Sequence, residues 1–340
     1  MPESTGETGR ATLAMISREA SVSMSTVSKV LNGRSGVSAD TRARVEELLD
    51  RHGYSPRGQA TAWEPFLELV MSETDTQWSA EIIRGAQAVA RHRGLSLILT
   101  QSGDRHSPAP DWIDGVLRRR PYGVVLVLAS LSPQLQRQLR TRGIPFVLVD
   151  PSGEPAADVP VVGAANYEGG ILATRHLIEL GHTRIGVVGG PDDVMSARAR
   201  VAGFRTAMDA AGIPIREELI RPGDYSAESG ISAAEAFLSL PEPPTAIFAL
   251  NDLEAFGVYA AARRLGVSVP EQLSVVGFDD VQGAEWAGPP LTTVRQPLTR
   301  MAEEAVRIVI RIRDREPDLS LRLNLATSLV VRDSTSRVAS

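Results

Sequence analysis

The chain of 340 residues carries no cysteine, a net charge of −5 and 43% hydrophobic residues, which excludes a disulfide framework, a thiolate metal site and a thiol nucleophile. No apolar run approaches the ~20 residues that a bilayer crossing needs, and the polar N-terminus MPESTGETGRA lacks a signal peptide's apolar stretch, so the expected location is cytoplasmic. Length calls for two or three globular domains.

Residues 1–10 read as a disordered tail. From Thr12 to Asn32 the pattern packs two short helices and a four-residue turn into about twenty residues. Leu13, Ile16, Ala20, Val22, Val27, Val30 and Leu31 fall where they close a small core, leaving Ser23, Met24, Ser25, Thr26, Ser28, Lys29 and Asn32 outward. Short polar side chains and a cation on one helix face suit the base edges and phosphates of a DNA major groove. The alternative is an ordinary helical hairpin. Lys29 is the one lysine against 35 arginines, and residues 11–63 hold seven basic side chains against five acidic ones. That module is mildly basic in an otherwise acidic chain, the sign a phosphate partner favours. A third helix follows, capped by Ser38, with Thr41 and Arg42 in its first turns, an apolar stripe of Val45, Leu48 and Leu49, and Gly53 as its stop. Tyr54 and Pro56 come next, then a linker.

Beyond Phe66, short β-branched runs alternate with amphipathic segments. Strands are predicted at Phe66–Met71, Leu95–Thr100, Val124–Leu128, Pro145–Val149, Arg184–Val188, Thr245–Ala249 and Leu273–Gly277. Helices are predicted at Ala80–Arg93, Pro133–Arg142, Glu168–Leu180, Arg198–Ala211, Ala227–Leu240 and Leu253–Leu265. Near-continuous apolar strands between amphipathic helices imply parallel sheets covered on both faces. A break near Pro155–Gly163 divides them into two doubly wound lobes, and residues 293–332 add a helix, Met301–Ile312, and a strand around Leu325–Val331. Ligands of such sheets bind at the strands' carboxyl ends, which here carry Asp150, Asn251, Asp252, Asp279 and Asp280.

Taken together, the motifs resemble the lactose-repressor (LacI/GalR) family of bacterial transcriptional regulators over essentially the whole chain. They are Val22-Ser23-x-x-Thr26-Val27-Ser28-x-Val30-Leu31-Asn32, Val37-Ser38-x-x-Thr41-Arg42, Gly53-Tyr54-x-Pro56, His176-Leu177-x-x-x-Gly181-His182 and Ser196-Ala197-Arg198-x-Arg200-x-x-Gly203, followed by Asn251-Asp252, Val276-Gly277-Phe278-Asp279-Asp280 and Pro290-Leu291-Thr292-Thr293-Val294. The resemblance implies an all-α helix-turn-helix headpiece over residues 11–56 and a hinge over 57–65. It implies a periplasmic-binding-protein-like α/β body, with one lobe of residues 66–162 and 293–320, the other of 163–292 and 321–333, and a tail from 334. By the same resemblance, double-stranded DNA meets Ser23, Met24, Ser25, Thr26, Ser28, Lys29, Asn32 and Tyr54, and a small-molecule effector meets Asp150, Arg200, Asn251 and Asp279. Trp78, Tyr225, Trp286 and Gln296 are further candidate cleft liners. Carboxylates, an amide, a guanidinium fork and aromatic faces suit a sugar; purine and amino-acid effectors stay open. Asn251 or Asp279 has the alternative role of a helix cap, Trp286 that of a core residue.

Two departures from the family pattern stand out. Ser21 occupies a turn position usually held by glycine, so a left-handed backbone there carries strain. The hinge reads Arg57-Gly58-Gln59-Ala60-Thr61-Ala62-Trp63, which places Ala60 and Trp63 among the expected DNA contacts, with Trp63 at the minor-groove wedge position; packing on the effector lobe is its alternative. The expectation is a homodimeric, ligand-controlled regulator, most simply a repressor of a carbohydrate operon on a palindromic operator, with no cofactor, metal or membrane partner. No apolar heptads follow the last strand, which argues against a C-terminal coiled-coil tetramer. The rivals are a sugar-binding sensor without DNA contact and an enzyme using Asp279-Asp280. Adjacent residues at a strand end point different ways, however, and no histidine joins that pair. The Gly186-x-x-Gly189-Gly190 turn fits no nucleotide-loop spacing.

Overall fold

A computed structural model of the protein describes residues 12–31, 34, 36–52, 54, 63–102, 108, 112–316 and 320–338. Three helices form the headpiece: α1 (Leu13–Glu19), α2 (Met24–Leu31) and α3 (Ala39–Arg51). Each begins on a hydroxyl cap, since Thr12, Ser23 and Ser38 accept from the amides of Met15, Thr26 and Thr41. Ser21 turns the chain from α1 to α2 at φ +53°, the left-handed conformation its position demands. Ile16, Ala20, Val27, Val30, Val45, Leu48 and Leu49 are buried together, with Leu13, Val22 and Tyr54 packed beside them.

The first lobe opens with β1 (Glu64–Met71), α4 (Gln77–His92), β2 (Ser96–Gln101), α5 (Trp112–Arg119), β3 (Pro121–Val127), α6 (Pro133–Thr141), β4 (Phe146–Val149) and β5 (Val161–Ala164). The second follows as α7 (Asn166–Glu179), β6 (Ile185–Val188), α8 (Met195–Ala210), β7 (Ile220–Arg221), α9 (Ala227–Leu238), β8 (Ala246–Ala249), α10 (Asp252–Leu265), β9 (Ser274–Asp279), α11 (Gln282–Trp286) and β10 (Thr292–Arg295). The chain ends with α12 (Leu298–Arg313), β11 (Arg322–Leu325) and β12 (Ser328–Val330). The two six-stranded sheets run β11-β5-β4-β3-β1-β2 and β12-β10-β9-β8-β6-β7, parallel except where β12 meets β10. Each is covered on both faces. In the first lobe α4 and α12 cover one face and α5 and α6 the other; in the second, α9 and α10 oppose α7 and α8.

The expected two-lobe body is present, with its boundaries redrawn. Residues 161–164 belong to the first sheet and 292–295 to the second, while the single strand expected near Leu325–Val331 is two strands, one in each sheet. The chain therefore crosses between lobes after β5, after β10 and after β11. The expected tail from 334 is instead fastened to the second lobe. Ser334 Oγ accepts from the Thr292 amide and donates to the Val275 carbonyl, and the Ser336 carbonyl meets His182. Ser334 thereby satisfies backbone groups of β9 and β10 that would otherwise be buried unpaired. The disordered tail of residues 1–10 and linker positions 57–62 lie outside the described residues. No helix among the described residues is long and apolar enough to cross a membrane.

Candidate functional site

Between the lobes lies a cavity of about 470 Å³, walled by the carboxyl ends of strands from both sheets. The first lobe contributes Met71 at the end of β1 and Ser72 after it, Leu128 after β3, Asp150 after β4, and Gln77 and Trp78 from the start of α4; the second contributes Ser196, Arg200, Tyr225, Asn251, Asp252 and Asp279. Four of these, Leu128, Asp150, Tyr225 and Asp279, have φ values of +53°, +46°, +69° and +120°. Left-handed backbone at non-glycine residues is costly and clusters where a side chain must be aimed at a function. Here it turns the chain sharply at the ends of β3, β4 and β9 and, for Tyr225, in the loop before α9, and all four residues line the cleft.

Arg200 organises the polar floor. Its Nε donates to Asn166 Oδ1 at 2.8 Å, a terminal nitrogen donates to the Leu250 carbonyl, and it stands 3.9 Å from Asp279 Oδ1. Its guanidinium lies 3.7 Å from the centroid of the Phe278 ring, a cation–π contact that leaves its N–H edge for acceptors. Asn166 passes the contact on, its Nδ2 donating to Asp150 Oδ1 at 3.2 Å. Gln296 Nε2 donates to Asp279 Oδ1 at 2.5 Å. Asp252 accepts from Thr293 Oγ1 and the Val281 amide, at 2.5 and 2.9 Å.

Burial disfavours the ionised form of each carboxyl. It lifts Asp150 above the usual carboxylate range against the pull of Arg200, and lifts Asp279 to about 7 against Arg200 and Gln296. Asp252 rises well above its ordinary value through burial and the nearby Asp279. Glu254, buried behind the wall, reaches about 8 through burial while its Oε1 accepts from the Tyr225 amide and Ser229 Oγ. Burial likewise raises the Tyr225 hydroxyl to about 12. Glu73, Asp75, Asp150, Asp224, Asp252 and Asp279 line the cavity against one basic side chain, Arg200. Such a wall disfavours anions, and Asp279, raised to about 7, presents a carboxyl that can both donate to and accept from hydroxyls.

Of the residues expected at the cleft, Trp78, Asp150, Arg200, Tyr225, Asn251 and Asp279 meet around this cavity, and Gln296 stands behind it as the partner of Asp279. Asn251 has two tasks. Its Oδ1 caps α10 through the Glu254 amide and its Nδ2 donates to the Tyr225 carbonyl. Trp286 is neither liner nor core. It is 70% exposed, because Ala284 takes the inward side of α11 and a residue two positions on faces away. Asn166 and Leu128 went unsignalled as site residues, and Asp252 was signalled only as a strand-end carboxylate. Asp252 sits in the Asn251-Asp252 pair, whereas Asn166 depends on a strand, β5, whose short Val-Val-Gly-Ala run shows no alternation.

At the other end of the molecule, Met24, Ser25 and Lys29 of α2 are exposed on one side of the headpiece, and Thr26 and Ser28 are half-buried. The hydroxyl of Ser23 is engaged in capping and in contacts to Ser25 and Thr26. Tyr54 packs on the headpiece core. Asn32 and Ala60 lie outside the described residues. Trp63 stacks edge-on against Tyr122 of β3, with ring centroids 4.7 Å apart, which is the lobe-packed arrangement.

Residues 12–57 match the family model described as bacterial regulatory proteins, lacI family, and residues 174–335 match a periplasmic binding protein-like domain. The HTH-type transcriptional regulator CelR of Thermobifida fusca is 34% identical over 96% of this chain and 98% of its own length. The HTH-type transcriptional repressor PurR of Vibrio vulnificus is 30% identical over 96% and 99%. Among solved structures, the transcriptional regulator CelR–cellobiose complex superposes with a TM-score of 0.72 at 33% identity, covering 96% of this chain and 100% of that one.

Proposed function

The chain belongs to the lacI family of DNA-binding bacterial transcriptional regulators, and on that premise we propose that it represses a carbohydrate-use operon as a homodimer on a palindromic operator, releasing or gripping DNA as an uncharged sugar enters the cleft. Its relatives are regulators, not enzymes. The observation that carries the ligand class is the cavity wall: six carboxyl side chains, one guanidinium and the face of Trp78 suit vicinal hydroxyls and oppose phosphate or carboxylate groups. The cellobiose complex of CelR supports the same class and makes β-linked glucose oligomers the first compounds to try.

A dimer sets two reading helices in successive major grooves, about 34 Å apart. In the first lobe β2 is an edge strand that leaves Ile98 and Leu99 exposed, an apolar surface for a second copy. The effector then acts by binding one lobe arrangement better than another, and a coupling of ~1–3 kcal/mol gives roughly 5–150-fold control. The test is selection of bound sequences from a random duplex pool by the full chain, repeated with cellobiose. An enriched palindrome whose retention changes with the sugar supports the reading. Enrichment that responds to sugar phosphates but not neutral sugars would overturn the ligand class, and no enrichment under either condition would overturn the operator.

A further inference from the structure

Outside the cleft, one polar group joins two parts of the chain that have separate cores. Arg142, at the end of α6, donates from Nε to the Leu31 carbonyl at 2.8 Å and from a terminal nitrogen to the Val30 carbonyl. Both carbonyls belong to the last turn of α2, where the helix supplies no i+4 amide and where a cation meets the negative end of the helix dipole. The same guanidinium stands 3.6 Å from Glu46 of α3, and Gln138 Nε2 on α6 reaches both oxygens of that carboxylate at 3.1 Å. The Arg142 side chain is 7% exposed, so this contact is enclosed and not a passing surface pair.

Apolar packing does not account for it. The headpiece cluster contains only headpiece residues, and the cluster beneath α6 only lobe residues. The joint is therefore polar, with a cleft beside it lined by Glu47, Arg51 and Gln134. At its other end α6 begins at Pro133, five residues after Leu128 of the effector-cavity wall, and along its length it packs on the strands that lead there. Leu139 anchors the helix in one core cluster with Leu126 of β3 and Phe146 of β4. The residues that follow those strands, Leu128 and Asp150, are both cavity wall.

We infer that α6 is a docking surface for the chain's own headpiece, with Arg142 as its latch, and that it forms a second route beside the linker from the cleft to the reading helix. The inference rests on the DNA-binding reading. Docking leaves Met24, Ser25 and Lys29 exposed, so the latched form is the one ready for DNA. Breaking the latch leaves only the linker and the Gln138–Glu46 hydrogen bonds to hold the headpiece, and its readiness falls with the docked fraction.

The chain's lack of cysteine makes the test direct. Spin labels on Ala43→Cys and Gln134→Cys, which flank the joint, report its distance in the full chain. With the latch intact a single short distance is expected; Arg142→Ala should broaden it while leaving the melting of the lobes unchanged. If the docked fraction falls to about a tenth, Arg142→Ala should bind the duplex selected by the unaltered protein roughly 10-fold more weakly. Glu46→Gln should weaken it too, and by less on top of Arg142→Ala than alone, because Arg142 and Glu46 face each other across one joint. A broad distance in the latch-intact chain, or equal duplex affinity with and without Arg142, would overturn the inference. A short distance seen only between singly labelled chains in a mixture would assign the joint to a second copy instead. If no duplex is bound by either protein while the label distances respond as expected, the DNA-binding reading fails and the docking contact stands.

Discussion

Arg200 and Lys29 are both cations, and the structure uses them in opposite ways. Arg200 is buried, with its donors committed to Asn166 and Leu250 and its flat face on Phe278. Lys29 stands exposed on α2, where an ammonium can reach guanine O6 or N7. Lys29→Ala should cost ~1–3 kcal/mol at the selected duplex and relax base preference at one position; uniform weakening across sequences would make it a phosphate contact. The buried acids carry a different prediction. Asp279→Asn keeps an acceptor for Gln296 but cannot ionise, so it should lose ~1.5–3 kcal/mol of sugar affinity, as for hydrogen bonds to charged groups. The same substitution should raise the melting temperature at pH 8, because ionising Asp279 in its buried site opposes folding. Calorimetric titration with cellobiose and thermal melts read the two effects separately. Asp150, Arg200 and Asp279 were legible in the sequence because strand ends and motifs point to them. The outward turn of Trp286 was not, since it depends on a five-residue helix that no periodicity announces.

Among the elements, α7 and α8 pack so closely that side chains are excluded at their crossing. A Cβ on Gly170 would come within 2.2 Å of the Arg200 carbonyl oxygen, and one on Gly203 within 2.2 Å of that of Tyr167. Gly170→Ala gains roughly 0.5–1 kcal/mol of helix propensity. Overpacking against backbone costs about 1–3 kcal/mol, and the cost wins. Denaturant unfolding should therefore show a net loss, and sugar affinity should fall further because α8 carries Arg200 into the cleft. The long helices and apolar strands were legible in the sequence through their periodicity. The misses were β5, β7, β10, α5 and α11, all short. Val161–Ala164 and Thr292–Arg295 hold four residues each, too few to display alternation, and their places depend on partners distant in sequence: β5 lies between β4 and β11, β10 between β9 and β12. Assigning β11 and β12 to different sheets needed tertiary pairing as well, since only two residues separate two apolar-polar runs that read as one.

For the molecule as a whole, the buried carboxyls set the pH response. Unfolded, they release their protons near pH 4; folded, Asp279 holds its proton to about 7 and Glu254 to about 8. Between those limits the unfolded state binds fewer protons, so stability falls as pH rises from about 4 to about 8 and then levels off. Thermal melts across that range should show the decline, with Asp279→Asn flattening part of it. A melting temperature that climbs steadily from pH 5 to 8 would contradict the burial that the structure assigns to these groups. The order of the strands also bears on how the protein comes into being. Both sheets wait for an outermost strand, β11 or β12, contributed by residues 322–330, whereas the headpiece encloses its own core within the first 54. During synthesis the reader is thus complete while the sensor still lacks an edge on each lobe. A premature stop shortly before residue 322 would leave the cell with a complete headpiece on two lobes that each lack an edge strand, so a late nonsense change acts differently from an early one.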